Sequence, residues 1–162
     1  MGEGRLFFAI MHHDEEILQD AVSELETEFG EAVSKSAEYN FNFTDYYKDE
    51  FGNGLKKRIY AFGAKINKAD LVETKILCSL IELRFSDDDD GKRVINIDPG
   101  YFSEKEAVLA SFKEKDFKEN LGDGVFAHKV LEFNGNKIND FFHTFADFKS
   151  KAVQEFFLEL IK

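Results

Sequence analysis

Asp98-Pro99-Gly100-Tyr101 follows directly on the apolar run Val94-Ile95-Asn96-Ile97, which reads as a buried strand. A carboxylate at a strand end, beside the chain's one proline, is placed to bind a hydroxyl, an amine or a metal ion. It can equally cap its own turn through the Asp side chain, and both readings stand. Two more stretches carry chemistry of the same kind. Thr44-Asp45-Tyr46-Tyr47 joins a second carboxylate to two phenol hydroxyls, and Lys56-Lys57-Arg58 offers three successive cations. In Gly122-Asp123-Gly124 the glycines permit unusual backbone angles, and the turn's amides can help hold an anion. Cations, hydroxyls and amides together suit a small polar or anionic ligand. The candidate ligand-binding residues are therefore Asp45, Tyr46, Tyr47, Lys57, Arg58, Asp98, Gly100 and Tyr101, with Gly122 and Gly124 as a further wall.

Other chemistry is poorly supported. A calcium loop with Gly91 at its sixth position would begin at Ser86 and need a glutamate where Ile97 stands, so Asp87–Asp90 reads as a solvated acidic loop. Gly122-Asp123-Gly124 lacks the Gly-Lys-Ser/Thr of a phosphate loop and precedes a strand rather than a helix. His12 and His13 are neighbours and would point to opposite faces of a strand, while His128 and His143 show no ligand spacing. No metal site is expected, and no cofactor is identified. The single cysteine, Cys78, excludes an intrachain disulfide and a Cys-based zinc motif, and sits in an apolar helix as a small core residue.

The elements that must position these residues follow from composition and periodicity. At 162 residues, 43% hydrophobic and with 19 phenylalanines, the chain is long and apolar enough for one folded domain spanning 1–162. Its net charge of -11 disfavours loose binding to nucleic acid or to an anionic membrane. No leader-like start or long apolar run is present, so a soluble cytoplasmic protein is expected, of unstated oligomeric state.

Arg5–His12 is almost continuously apolar, as in a strand covered on both faces. Asp14, Glu15 and Glu16 open a helix whose stripe runs through Leu18, Val22 and Leu25 to Phe29, with Gly30 as its stop. Alternation at Asn40-Phe41-Asn42-Phe43 ends a second strand, and Leu55–Ile66 forms a third. Asn67 and Asp70 begin a helix carried by Leu71, Ile76, Leu80 and Leu83, and Arg93–Ile97 is the fourth strand. This order is that of a ferredoxin-like βαββαβ core. Strands at Ala107–Phe112 and Val125–Phe133, a hairpin at Asn134-Gly135 and a final amphipathic helix from Phe148 to Ile161 extend it. The fold class is α+β. In such a sheet the ends bearing Asp45, Lys57 and Asp98 lie along one edge, and His12 and His13 lie near Asp87–Asp90.

Four stretches also resemble one family as a set: Phe41–Tyr47, Gly54–Arg58, Asn96–Tyr101 and Leu121–Ala127. They are similar to a group of small prokaryotic proteins catalogued as domain of unknown function 4416. The resemblance spans almost the whole chain and implies candidate positions rather than a mechanism. It departs at Glu106, where the family pattern carries a lysine, at His128, where it carries a glutamate, and in His143–Lys149, which replaces Trp-Thr-Tyr-Pro-Asp-Tyr-Arg. If those positions carry activity in the family, this chain has altered or lost it. Three functions remain in view. The first is binding of a small polar or anionic ligand, the second a metal-assisted hydrolase or phosphoryl-handling enzyme using Asp45 and Asp98. The third is a non-enzymatic interaction module docking through its phenylalanines.

Overall fold

The computed structural model describes residues 3–43, 47–52, 54–86 and 92–162. Its central strand, β1 (Glu3–His12), has every residue from Leu6 to Met11 at most 1% exposed. The continuous apolar run is explained by two covered faces. Leu6, Phe8 and Ile10 enter one core, and Phe7 and Ala9 enter another.

Around β1 stand β2 (Ala32–Lys35), β3 (Tyr39–Asn40), β4 (Lys56–Asn67) and β5 (Ile95–Phe102). Beyond them lie β6 (Glu106–Ser111), β7 (Glu119–Gly122), β8 (Val125–Asn134) and β9 (Lys137–Asp140). They form one nine-stranded sheet in the order β2-β4-β1-β5-β6-β8-β7, with β3 on β4 and β9 on β8. Every pairing is antiparallel.

Helix α1 (Glu15–Phe29) starts at Asp14, whose carboxylate accepts from the amides of Glu16 and Ile17, and stops at Gly30 with φ +89°. A single helical turn, α2, spans Lys48–Phe51. Helix α3 (Leu71–Arg84) is entered through a 3-10 turn fixed by the reciprocal Asn67–Asp70 capping box. Helices α1 and α3 bury Leu18, Leu25, Cys78 and Ile81 against the Phe8 face. Helix α4 (Lys151–Ile161), capped by the Ser150 hydroxyl, buries Val153 and Phe157 against the Phe7 face. No helix among the described residues is long and apolar enough to cross a membrane.

Three expectations change. The four strands and appended hairpin are instead part of one sheet, so what stands is a mixed α/β fold on a large antiparallel sheet. The strands after β5 continue its edge, and β7 joins them unannounced because it is four residues long, mostly exposed, and has Leu121 as its one large apolar side chain. The second change concerns Asp98-Pro99-Gly100-Tyr101, which does not turn. β5 runs straight through it to Phe102, with Phe8 opposite Pro99 and Phe7 opposite Gly100. Pro99 sits within the β1 ladder, and the register with β6 begins one residue later, at Gly100–Leu109. Gly100 is required by space. A Cβ there would sit 2.3 Å from the Val108 carbonyl oxygen and 2.7 Å from the Phe7 ring. The strand expected to end at Asn40–Phe43 is shorter, closing at Asn40. The acidic run Asp87–Asp90 lies outside the described residues, and His12 meets Glu38 at 3.0 Å.

The last helix is held by one ring more than any other. Phe157 is fully buried and packs against Phe7, Phe102, Phe133 and Phe148. Phe157→Ala is expected to cost ~3–5 kcal/mol in a urea melt. An unchanged midpoint would show that α4 is not part of the core.

Candidate functional site

Asp98 is the carboxylate around which the polar side chains gather. The Lys75 ammonium, reaching from α3, donates to Oδ1 at 2.9 Å, and the Asn96 amide donates to Oδ2 at 3.1 Å. Burial works against the Asp98 charge, but Lys75 and then Lys57 outweigh it and hold its pKa below the usual carboxylate range. Lys75 answers in kind. Burial opposes its charge, yet Asp98 and Glu82 raise its pKa above that of an ordinary lysine. Behind them, Arg93 donates to Asn96 at 2.8 Å and bridges Glu50, while Glu82 accepts the Ile97 amide at 2.6 Å. This network ties α3 to β5.

A cavity of about 390 Å³ opens beside Asp98. Its walls are β6 at Leu109–Ser111, the β6–β7 loop, His128 of β8, and His143 and Phe145 from the segment before α4. Five cations line it: Lys75, Arg93, Lys113, Lys115 and Lys118. Among the described lining residues, Asp98 is the one carboxylate. Ser111 shapes the loop, accepting from the Lys113 amide and from the Lys118 ammonium, both at 3.1 Å. The Lys118 ammonium also donates to the Lys113 carbonyl, at 3.2 Å. Burial, and then the neighbouring Lys113 and Lys115, push the Lys118 pKa down.

The two histidines are neutral parts of this wall. Burial, Lys118 and His143 push the His128 pKa down to about 4, and burial lowers that of His143 as well. His128 Nε2 lies 3.0 Å from the His143 carbonyl oxygen, which can only accept, so Nε2 carries the proton. The same Nε2 lies 3.2 Å from His143 Nδ1. The His143 ring is stacked between Phe117 at 4.3 Å and Phe141 at 4.9 Å.

A second cavity, about 290 Å³, adjoins the first and shares Tyr47, Asp98, Lys113 and Phe145 with it. Phe41, Phe43, Lys57 and Asp147 complete its lining apart from Ala146. Lys57 and Asp147 form an ion pair at 2.8 Å with both side chains buried, and the Tyr39 hydroxyl donates to the same Asp147 oxygen. Burial, then Asp147, push the Tyr39 pKa far up, so it stays a donor. The Lys57 ammonium also lies over the Phe41 and Phe148 rings.

Of the residues singled out from sequence, Tyr47, Lys57 and Asp98 line one cavity. Arg58 does not, because adjacent strand residues alternate and it faces the Tyr60 side of β4. Tyr101 is fully buried and donates to Glu106 at 2.9 Å, and Gly100 packs beneath Phe7. Gly122, Asp123 and Gly124 adopt positive φ in the β7–β8 turn and line neither cavity. Asp45 and Tyr46 lie outside the described residues. Lys75, Lys113, Lys115, Lys118 and the two histidines were not foreseen. The Lys113-Glu114-Lys115-Asp116 alternation cancels its own charge on paper, and only the folded loop turns its lysines inward.

A larger open groove of about 540 Å³ is lined by Lys105 and Lys129 with Glu3, Glu106 and Glu132, and Lys129 is paired there with Glu106 at 3.7 Å and Glu132 at 2.8 Å. Among the described residues, one group has metal-ligand spacing: His12, Glu15 and Glu38, with ligand atoms within 4.8 Å of one another. Glu38 there already meets His12 and Lys56, so the group also has the makings of a plain ion-pair cluster.

A family model described as "Domain of unknown function (DUF4416)" matches residues 3–162, essentially the whole chain. No curated protein and no solved structure matches it.

Two outcomes follow from this geometry. Asp147→Asn strands a buried lysine charge, with an expected loss of ~3–5 kcal/mol, and adding Lys57→Met recovers much of it. Thermal melts in which the single variant matches the wild type would refute the buried pair's role. The histidines set an acid limit. An unfolded histidine protonates near ~6.5 while His128 resists to about 4, so the unfolded chain binds the proton first. Stability present above ~6.5 is lost as pH falls toward that lower value, at up to about 1.4 kcal/mol per pH unit. His128→Gln should flatten this part of a urea-stability profile, and an unaltered slope would assign the loss to other groups.

Proposed function

The chain belongs to the DUF4416 family, and we propose that it binds a small anionic ligand in the cavity beside Asp98. The observation carrying this reading is the charge of the lining, five cations against one carboxylate among the described residues, in a chain of net charge -11. Like charges gathered in a partly enclosed space repel one another, and the Lys118 pKa is lowered by burial first and then by Lys113 and Lys115. An anion relieves that repulsion and gains charge-assisted hydrogen bonds from the ammonium groups.

Binding is favoured over metal-assisted hydrolysis because both Asp98 oxygens are engaged, one by Lys75 and one by Asn96. A carboxylate so held serves to fix Lys75 in the wall. The reading includes a cytoplasmic setting, where a lone buried thiol such as Cys78 is at home. It also includes a ferredoxin-like ancestry for the block β2-β4-β1-β5, which carries α1 and α3 on one face.

Differential scanning fluorimetry with inorganic phosphate and pyrophosphate, against chloride at matched ionic strength, tests the proposal. The melting temperature is expected to rise with either anion, and the rise to shrink as sodium chloride is added. Lys113→Met with Lys118→Met, both outside the core, should abolish the rise while leaving the unliganded fold intact. A wild-type protein indifferent to both anions, or a double variant that responds as fully, overturns the proposal.

A further inference from the structure

Among the described residues, every phenylalanine exposed to solvent stands around this one site. Phe112, Phe117 and Phe145 line the cationic cavity, and Phe43 lines the cavity that adjoins it. Phe142, the most exposed at 89%, packs edge-on against Phe117 and His143. The other described phenylalanine rings are wholly or partly covered, most of them in the two main apolar cores and Phe41 and Phe51 in a smaller cluster with Met11, so exposure here is local. Rings left in water around a charged cavity mark a surface that something apolar covers.

The rings are not equivalent. Phe117 has one face stacked on His143, so it is already part of the wall. Phe112 and Phe145 are 48% and 41% exposed, and both line the same cavity as Lys113, Lys115 and Lys118. Phe112 has the Lys75 ammonium 5.1 Å from its ring centre, which sets aromatic surface beside the charged lining. Cations and open rings in one cavity of about 390 Å³ demand a ligand with two unlike ends.

Resting on the anion-binding reading above, we propose that the ligand is an aromatic phosphate-type anion. Its charged group sits among Lys113, Lys115 and Lys118, and its planar ring lies against Phe112 and Phe145. A ring bound there covers aromatic surface that inorganic phosphate leaves wet, and gains ring-on-ring contact besides. The three lysines recognise charge alone, so discrimination between anions falls to the phenylalanines.

Isothermal titration of the full chain with inorganic phosphate, glycerol phosphate and phenyl phosphate tests this. Phenyl phosphate is expected to bind about tenfold tighter than the other two. Phe112→Ala with Phe145→Ala should bring phenyl phosphate down to the phosphate level and leave phosphate binding unchanged. Lys113→Met with Lys118→Met should weaken all three ligands. Circular dichroism melts establish that each variant is folded. Phosphate binding with no gain from the aryl group, or a gain that survives loss of both rings, overturns this inference alone and leaves the rim as a contact for a macromolecule. If none of the three ligands binds the folded wild-type protein, the anion-binding reading fails and this inference with it.

Discussion

β1 is enclosed on all four sides, and that constraint governs the rest of the chain. A strand with Leu6 to Met11 out of water needs a neighbour on each edge and a layer on each face. β4 and β5 supply the edges. The faces are supplied by α1 with α3 on one side and by α4 on the other, although α4 comes from the far end of the chain. The final helix is therefore structural rather than an appendage. The 3-10 turn Ala146–Lys149 before it is drawn onto the sheet for the same reason, with Phe148 fully buried among the rings that meet Phe157.

An acidic chain keeps a positive cavity by spending carboxylates selectively. Asp98 neutralises Lys75, Asp147 neutralises Lys57, and Glu50 with Glu82 engages Arg93. These pairs are at least partly buried and act as joints between elements. The β6–β7 loop differs, since the hydrogen bonds of Lys118 end on neutral oxygens of Ser111 and Lys113. The Lys118 charge meets hydroxyl and carbonyl oxygens there, which distinguishes it from the structural ion pairs.

Elements with long, consistent periodicity were legible from sequence alone. β1, β4, α1 and α3 appear within a few residues of where apolar spacing and caps put them, and Asn134-Gly135 turns β8 into β9. What was hidden depends on partners distant in sequence. Asp98-Pro99-Gly100 has the local grammar of a turn, but β1 beside it and the Phe7 ring over Gly100 hold it extended. Asp98, Lys57 and Tyr47 could be brought together in advance because strand order alone sets their common edge. Arg58 was misread with its neighbour Lys57, since three cations in a row cannot share one face of a strand. The loop lysines could not be seen, because a four-residue β7 and the hydroxyl of Ser111 decide where they point.

The site's aromatic side is only as fixed as one ion pair. His143 and Phe145 belong to a segment whose hold on the sheet runs through Asp147, bound to Lys57 on β4 and to Tyr39 on β3. Thr144 adds a second hold by donating to the Val130 carbonyl of β8. One segment is thus pinned on one side to the paired strands β3 and β4 and on the other to β8, which neighbours neither of them in the sheet. Lys57 also lowers the Asp98 pKa, so the charge that anchors the aromatic wall also steadies the carboxylate opposite it. Sequence-distant stretches therefore become one site through shared counter-charges, and no single stretch carries a motif for it. A lone charge there would be costly in the interior, whereas the mutual pairing makes each member's placement a condition of the others.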